Sequence, residues 1–249
     1  MGDGALAALI LVAVAMLCGG MVKGVVGLGL PIVSISIMST LLNVPTALAL
    51  LVGPILMSNL WQLLRGGYMQ VALKRFWPVV LSLAVGLWGS ASLVMHIPPR
   101  VLYGLLGAIV VTFTVTAYLA PSLRLAARAE KWVGVLAGFA GGLIGGISVV
   151  YGPPITMYLV ALRLPKDLFI GAVGLIWFCG AVPLAAAYAV HGVLTAELAV
   201  WSGLACVPAA AGLLMGQWVR DRIDQELFGK VLLAALLLLG LNLIRRAFL

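Results

Sequence analysis

Long apolar runs separated by short charged segments dominate the chain, and their length predicts helices. The stretches without Asp, Glu, Lys or Arg are 4–22, 24–64, 76–99, 101–123, 132–162, 168–196, 198–219 and 231–244. A helix needs about 20 apolar residues to cross a bilayer, so 24–64 and 132–162 each hold two segments. Because Gly and Pro interrupt helices, breaks are expected at Asn43-Val44-Pro45 and at Gly152-Pro153-Pro154.

This division predicts about ten helical segments joined by short connections. They are placed at 5–22, 25–42, 46–64, 76–95, 99–119, 132–147, 150–163, 168–189, 196–219 and 227–246. The expected fold is therefore an all-α, polytopic membrane protein.

Composition leads to the same conclusion. The 249 residues include 15 basic and 7 acidic side chains, so only 9% are charged, while 64% are hydrophobic. An ordinary soluble domain carries about 25% charged residues, and its surface must be hydrated. A soluble enzyme, a disordered chain and a disulfide scaffold are thereby excluded. Cys18, Cys179 and Cys206 lie inside apolar runs without metal-ligand spacing, so no metal or cofactor is expected.

The distribution of basic residues predicts the orientation. If the N-terminus is outside, the inside loops hold eleven Lys and Arg residues, whereas the outside holds only Arg100, Arg245 and Arg246. Cytoplasmic loops of membrane proteins collect basic residues, so both termini are predicted outside. The net charge of +8 then has a topological explanation, and no nucleic-acid partner is expected.

A repeat divides the chain into two halves. Residues 18–31 match residues 140–153 at a shift of 122, with the Gly-Gly pair, a later Gly and the final Pro coinciding. The halves are 1–119 and 132–249, separated by a basic linker, 120–131, that is predicted to be cytoplasmic. Because each half has an odd number of segments, five, they are expected to form an inverted-topology repeat, a common architecture of secondary transporters.

The two Gly-rich stretches that end in Pro31 and Pro153, together with the duplicated five-segment pattern, resemble the sulfite exporter TauE/SafE family. The resemblance covers essentially the whole chain. It implies a bacterial inner-membrane permease for small anions such as sulfite, sulfonates or other organosulfur and carboxylate anions.

Interrupted segments at matching positions indicate where the substrate of such a transporter binds. Here they are the two Gly/Pro stretches, 19–31 and 141–154, and the expectation is a substrate site near the midplane formed by both of these breaks. A helix that starts at a break directs N–H groups and a positive dipole end toward it, which favours an anion. Lys23 either contributes charge to this site or occupies a cytoplasmic turn. The candidate substrate-binding residues are Lys23, Gly27, Gly29, Pro31, Ser34, Asn59, Gly145, Gly146, Ser148, Tyr151, Gly152, Pro153 and Trp177. For Gly20, Gly24, Gly142 and Gly146, packing between helices is the simpler interpretation.

Two other functional classes are alternatives to a transporter. An intramembrane enzyme would need an activated nucleophile or paired carboxylates, and the seven acidic residues all lie near segment ends or in loops. No catalytic residue is therefore assigned. An anion channel is the nearer alternative, although an internal inverted repeat favours alternating access within one chain. The expected partners are a small anionic substrate and the lipid bilayer, and a homodimer is left open.

Overall fold

The structure is a computed structural model that describes residues 3–66, 69–119, 125–220, 222 and 225–248. Its α-helices, in chain order, are α1 (Asp3–Val26), α2 (Leu30–Met38), α3 (Val44–Gly66), α4 (Met69–Ala91), α5 (Pro99–Leu119), α6 (Glu130–Ser148), α7 (Gly152–Ala161), α8 (Lys166–Val190), α9 (Ala196–Leu204), α10 (Cys206–Arg220) and α11 (Gln225–Ala247). The residues described contain no β-strand, so the predicted all-α fold is confirmed.

Six of the helical segments in the described part of the chain are long and apolar enough to cross a membrane. They are Leu6–Val26, Val44–Arg65, Met69–Met95, Glu130–Ser148, Leu168–Val190 and Ala196–Arg220. The last of these contains α9 and α10, with a turn at Ala205 between them. The protein is therefore a multi-pass membrane protein, as predicted.

Several predicted boundaries were wrong. The first segment continues to Val26 instead of residue 22. The predicted segment 25–42 contains the last two residues of α1, the break and the nine-residue helix α2. Helix α4 begins at Met69, seven residues before the charge-free run, and includes Arg75. Arg75 can occupy a helix at the end of a span because its guanidinium makes two hydrogen bonds with the Glu130 carboxylate, at 2.6 and 2.9 Å.

The chain forms two compact units that combine pieces of both halves. Unit 1 contains Met1–Ile55, Ile97–Ala120 and Thr195–Leu249, and unit 2 contains Leu56–His96 and Pro121–Leu194. The boundary passes through α3. Unit 1 consists of three stretches of chain, of which two come from the predicted first half and one comes from the second. Neither unit is therefore a single sequence repeat.

In unit 1, glycines allow the backbones of α1 and α10 to come into direct contact where the two helices cross. A Cβ added at Gly24 would lie 2.8 Å from the Cα of Gly216, and one at Gly216 would lie 2.9 Å from the Cα of Gly24. Gly20 likewise faces the backbone of α10. Small residues at such a crossing bring two membrane helices into close van der Waals contact.

In unit 2, α6 crosses α4 in the same way. A Cβ on Gly142 would lie 2.8 Å from the Cα of Gly86, and Gly146 faces the backbone of Leu87. The Ser90 hydroxyl contacts the Gly142 carbonyl at 3.2 Å. In both units, therefore, the first helix of one half packs on the fourth segment of the other half.

A proline in α3 of unit 1 is compensated by a serine from α9. Pro54 has no N–H, so the Leu50 carbonyl lacks its usual helical donor. The Ser202 hydroxyl donates to that carbonyl at 3.0 Å and accepts the Gly53 N–H at 2.8 Å. The Ser202 side chain is buried, with 2% exposed, so this contact joins α9 to the middle of α3.

Candidate functional site at the helix breaks

The first break lies in unit 1, where α1 ends at Val26 and α2 begins at Leu30. Gly27 (φ 88°) and Gly29 (φ 99°) have the left-handed backbone that glycine tolerates best. The Gly27 N–H donates to the Lys23 carbonyl at 2.7 Å, which terminates α1. Pro31 lies in the first turn of α2, where its missing N–H costs no helical hydrogen bond.

The second break, in unit 2, repeats this backbone geometry. Helix α6 ends at Ser148 and α7 begins at Gly152, each 122 residues after its counterpart. Val149 has φ 64°, the left-handed conformation found at Gly27, and its N–H donates to the Gly145 carbonyl at 2.6 Å. Pro153 lies in the first turn of α7. The repeat seen in the sequence therefore corresponds to a shared local conformation.

Lys23 lies in the last turn of α1 and is buried, with only 5% of its surface exposed. A turn at a membrane surface, one of the two interpretations of the sequence, would leave it more exposed. At about 100° per residue, Lys23 projects roughly 40° from Gly19 and roughly 60° from Gly20. Gly19 faces α2 and Gly20 faces α10. Lys23 is thus directed between these two helices, beside the start of α2.

The position in unit 2 that corresponds to Lys23 is Gly145. At this position and at one in the break, each unit has one large and one small residue, but the large residue occupies opposite positions in the two units. A Cβ on Gly145 would lie 2.6 Å from the Cβ of Tyr151, so the tyrosine occupies the space next to this glycine. Tyr151 corresponds to Gly29 at the 122-residue shift. Unit 1 therefore has Lys23 on the helix and a glycine at the break, whereas unit 2 has a glycine on the helix and Tyr151 at the break.

Three predicted site residues form one buried network in unit 2. The Tyr151 hydroxyl donates to the Trp177 carbonyl at 2.8 Å. The Asn59 amide donates to the same carbonyl at 3.1 Å and to the Tyr151 oxygen at 3.2 Å. These residues are 1–6% exposed, and the Tyr151 and Trp177 rings pack edge to face at 6.0 Å. The network joins the break to α3 and α8.

The remaining predicted polar residues contact their own helices or neighbours. The buried Ser34 hydroxyl of α2 donates to the Ala15 carbonyl of α1 at 2.9 Å. The Ser148 hydroxyl donates to the Ile144 carbonyl at 2.7 Å and accepts the Val150 N–H at 3.1 Å, which terminates α6. A Cβ on Gly152 would lie 3.2 Å from the Trp177 ring. These hydroxyls stabilise the ends and the packing of the broken helices.

A family model described as Sulfite exporter TauE/SafE matches residues 11–243. The chain belongs to the TauE/SafE family. The family is one of transporters, not enzymes, and membership indicates a membrane exporter of sulfite or another anion. Comparison with curated proteins and with solved structures found no match. The resemblance inferred from the two Gly/Pro stretches is confirmed.

Sequence reasoning missed two residues that the tertiary structure connects to this TauE/SafE fold. Ser202 lies in an apolar run that gives no local sign of its role, and Pro54 is the local signal that α3 needs an outside donor. Arg246 was assigned only to the outer loops, although its guanidinium contacts the end of α2. Among the residues that the structure describes, no three His, Cys, Asp or Glu side chains are grouped to hold a metal ion.

Proposed function

We propose that this protein is a secondary transporter that moves small anions, such as sulfite, sulfonates or related carboxylates, across the inner membrane of a bacterium. It works by alternating access, and both Gly/Pro breaks contribute to substrate transfer. The observation that carries the proposal is Lys23, a buried amine at the end of an apolar span and beside the start of α2. A basic side chain inside a membrane span is expensive to bury, and such residues mark substrate pathways.

The start of α2 favours an anion through its backbone. The first N–H groups of a helix lack helical acceptors and carry the positive end of the helix dipole. Pro31 removes one of these donors, and Val33 already donates to Gly29, at 3.0 Å. The remaining donors and the Lys23 ammonium supply positive charge and hydrogen bonds suited to sulfite or sulfonate oxygens. Gly29, without a side chain, permits close approach to the backbone.

The second break has a different part in the proposal. Tyr151 replaces the lysine as the large polar residue there, and its hydroxyl is hydrogen-bonded to Asn59 and Trp177. We assign the charge-based recognition of the anion to the first break. The Tyr151 network maintains the shape of the second break, which shares its backbone conformation with the first.

The membrane potential supplies the driving force for export. An anion that leaves a cell with a negative interior gains about 2.3 kcal/mol per charge for each 100 mV. Asp and Glu are absent from the middle of the apolar runs, so the proposal includes no carboxylate proton relay. Transport is expected in proteoliposomes with an imposed potential and without a pH gradient.

Replacement of Lys23 tests the proposal. Lys23→Met keeps the length of the side chain and removes its charge, so we expect sulfite uptake by proteoliposomes to fall about ten- to a hundredfold, the effect of losing a charged hydrogen bond. Lys23→Arg retains the charge and should keep a measurable part of the flux. Flux is measured with the potential clamped by potassium and valinomycin.

Lys74→Met is the matched control because Lys74 is exposed on α4 and the variant has the same net charge. Each variant is first checked for insertion and for a monodisperse elution profile. If Lys23→Met transports sulfite, sulfonates and small carboxylates as well as the Lys74 variant does, the assignment of the anion site to the first break is wrong.

A further inference from the structure

The C-terminal end of α2 is buried and needs partners for its carbonyl groups. Ser39, the residue that follows α2, is only 1% exposed. The turn after the helix satisfies the last helical carbonyls, those of Ile35, Ser36, Ile37 and Met38, with donors from Ser39, Thr40, Leu41 and Leu42. The next two carbonyls in the chain belong to Ser39 and Thr40. In the part of the chain that the structure describes, no N–H or hydroxyl group of this turn donates to either carbonyl. Ser39 is buried, whereas Thr40 is exposed, and a buried carbonyl without a donor is costly. The Ser39 carbonyl in particular therefore requires a donor from elsewhere.

Arg246 provides that donor from a distant part of the sequence. Its Nη1 donates to the Ser39 carbonyl, and its Nη2 donates to the Thr40 carbonyl at 3.3 Å. Arg246 lies in the last turn of α11, about two hundred residues further along the chain, in the same unit. The planar guanidinium can serve two adjacent acceptors at once, and its positive charge favours the negative end of the α2 dipole.

We propose that Arg246 is a positioning residue for substrate binding: by holding the C-terminal end of α2, it sets the placement of the N–H groups at the other end. Helix α2 has nine residues, so it is a short rod whose two ends move together. Anchoring one end of such a rod limits the movement of the first turn at the break. The inference rests on the proposed anion site, and it adds a residue far from that site in the sequence.

Helix α7, the counterpart of α2 in unit 2, offers an internal comparison. The carbonyl of its last residue, Ala161, accepts a backbone hydrogen bond from the Leu125 N–H at 3.0 Å. A backbone donor does not depend on any side chain. Loss of the Arg246 guanidinium should therefore loosen α2 without loosening α7.

The test compares Arg246→Met, Arg246→Lys and Arg245→Met in the purified full-length protein. Arg245 is an exposed neighbour in the same helical turn, so its variant has the same change in charge. Amide hydrogen exchange is followed by mass spectrometry for peptides that cover 30–42 and 152–162. We expect Arg246→Met to accelerate exchange in 30–42 by about tenfold or more while 152–162 stays unchanged. Arg246→Lys should restore part of the protection, and Arg245→Met should resemble the wild type.

The second measurement is the concentration dependence of sulfite flux in proteoliposomes. Because the anchor acts on binding, Arg246→Met should raise KM about tenfold and change the maximal rate less, with Arg246→Lys in between. Unchanged exchange in 30–42, or faster exchange with an unaltered KM, overturns the positioning role. If the wild type itself carries no flux of any anion tested, the proposed function fails separately, and the exchange data alone decide whether Arg246 anchors α2.

Discussion

At the level of single residues, the two breaks have the same backbone conformation but different side chains. Gly27 has φ 88°, and Val149, at the equivalent position, has φ 64°. A β-branched residue in the left-handed region is strained, and such strain is retained where surrounding packing enforces it. Val149 is 1% exposed, so its burial offsets part of that strain. A Cβ at Gly27 would have open space around it, so the backbone angle is what opposes a side chain at this position.

Gly27→Ala tests this explanation. A Cβ at position 27 would contact nothing within 4 Å, so the only penalty is the left-handed backbone, about 1–2 kcal/mol. We expect a lower midpoint of thermal unfolding in detergent. Gly89→Ala is the control, since Gly89 also has open space but lies within α4 at an ordinary helical angle. That variant should be as stable as the wild type or more stable, by up to about 1 kcal/mol. Equal stability of the two variants would contradict the conformational argument.

The large polar residue lies on the helix in unit 1, as Lys23, and at the break in unit 2, as Tyr151. Sequence reasoning selected both residues, because a charge and an aromatic hydroxyl stand out in Gly-rich stretches. It could not show that Tyr151 is hydrogen-bonded to Asn59 and Trp177, since these residues lie 92 and 26 positions away. The contacts of a candidate polar group depend on which helices pack beside it.

At the level of helices, the two crossings follow one rule. In unit 1 the first helix of the first half packs on α10, and in unit 2 the first helix of the second half packs on α4. Both crossings use glycines, so the helices approach to backbone contact. Each crossing thus pairs a helix from one half with a segment from the other half. For this reason the compact units do not coincide with the predicted halves, 1–119 and 132–249. The length of an apolar run predicts that a segment is a helix, but it does not identify the helix that packs beside it.

The proline inside α3 gives a prediction at this scale. Ser202→Ala removes both hydrogen bonds beside Pro54 and leaves the Leu50 carbonyl and the Gly53 N–H buried without this partner. We expect a loss of about 1–3 kcal/mol, measured as a lower unfolding midpoint in detergent. Ser36→Ala is the matched control because the Ser36 side chain is equally buried and its hydroxyl bonds only to Ile32 in its own helix. A Ser202→Ala protein as stable as the Ser36 variant would show that α3 does not depend on this serine.

At the level of the whole molecule, the sequence and the exposed tryptophans bear on the orientation in the membrane. The distribution of Lys and Arg over the loops predicts both termini outside. In unit 2, Trp77 of α4 and Trp132 of α6 are 57% and 75% exposed, and each lies two residues after a member of the Arg75–Glu130 ion pair. Tryptophan is enriched at membrane interfaces, so these two residues indicate that this end of the unit lies at a membrane surface, the cytoplasmic one in the predicted orientation.

Reporter fusions check the orientation. Alkaline phosphatase is active only outside the cytoplasm, whereas green fluorescent protein exported through the general secretion pathway is dark. We expect a fusion after Leu249 to have high phosphatase activity and low fluorescence, and a fusion within the linker 120–131 to show the reverse. The two fusions control for each other's expression. If the C-terminal fusion is fluorescent and the linker fusion has phosphatase activity, the predicted orientation is wrong and the C-terminus lies in the cytoplasm.

The sequence by itself determined that this is an all-α membrane protein of the TauE/SafE family with two matching breaks. These properties are local: span length follows from apolar runs, and Gly and Pro interrupt a helix wherever they occur. Only the tertiary structure decided that Lys23 is buried and that Tyr151 is hydrogen-bonded to α3 and α8. It also decided that Ser202 completes backbone hydrogen bonds of α3 and that Arg246 donates to the carbonyls that follow α2. The physical reason is that a buried polar group must find a partner, and here each partner comes from a helix distant in sequence, chosen by packing rather than by local pattern.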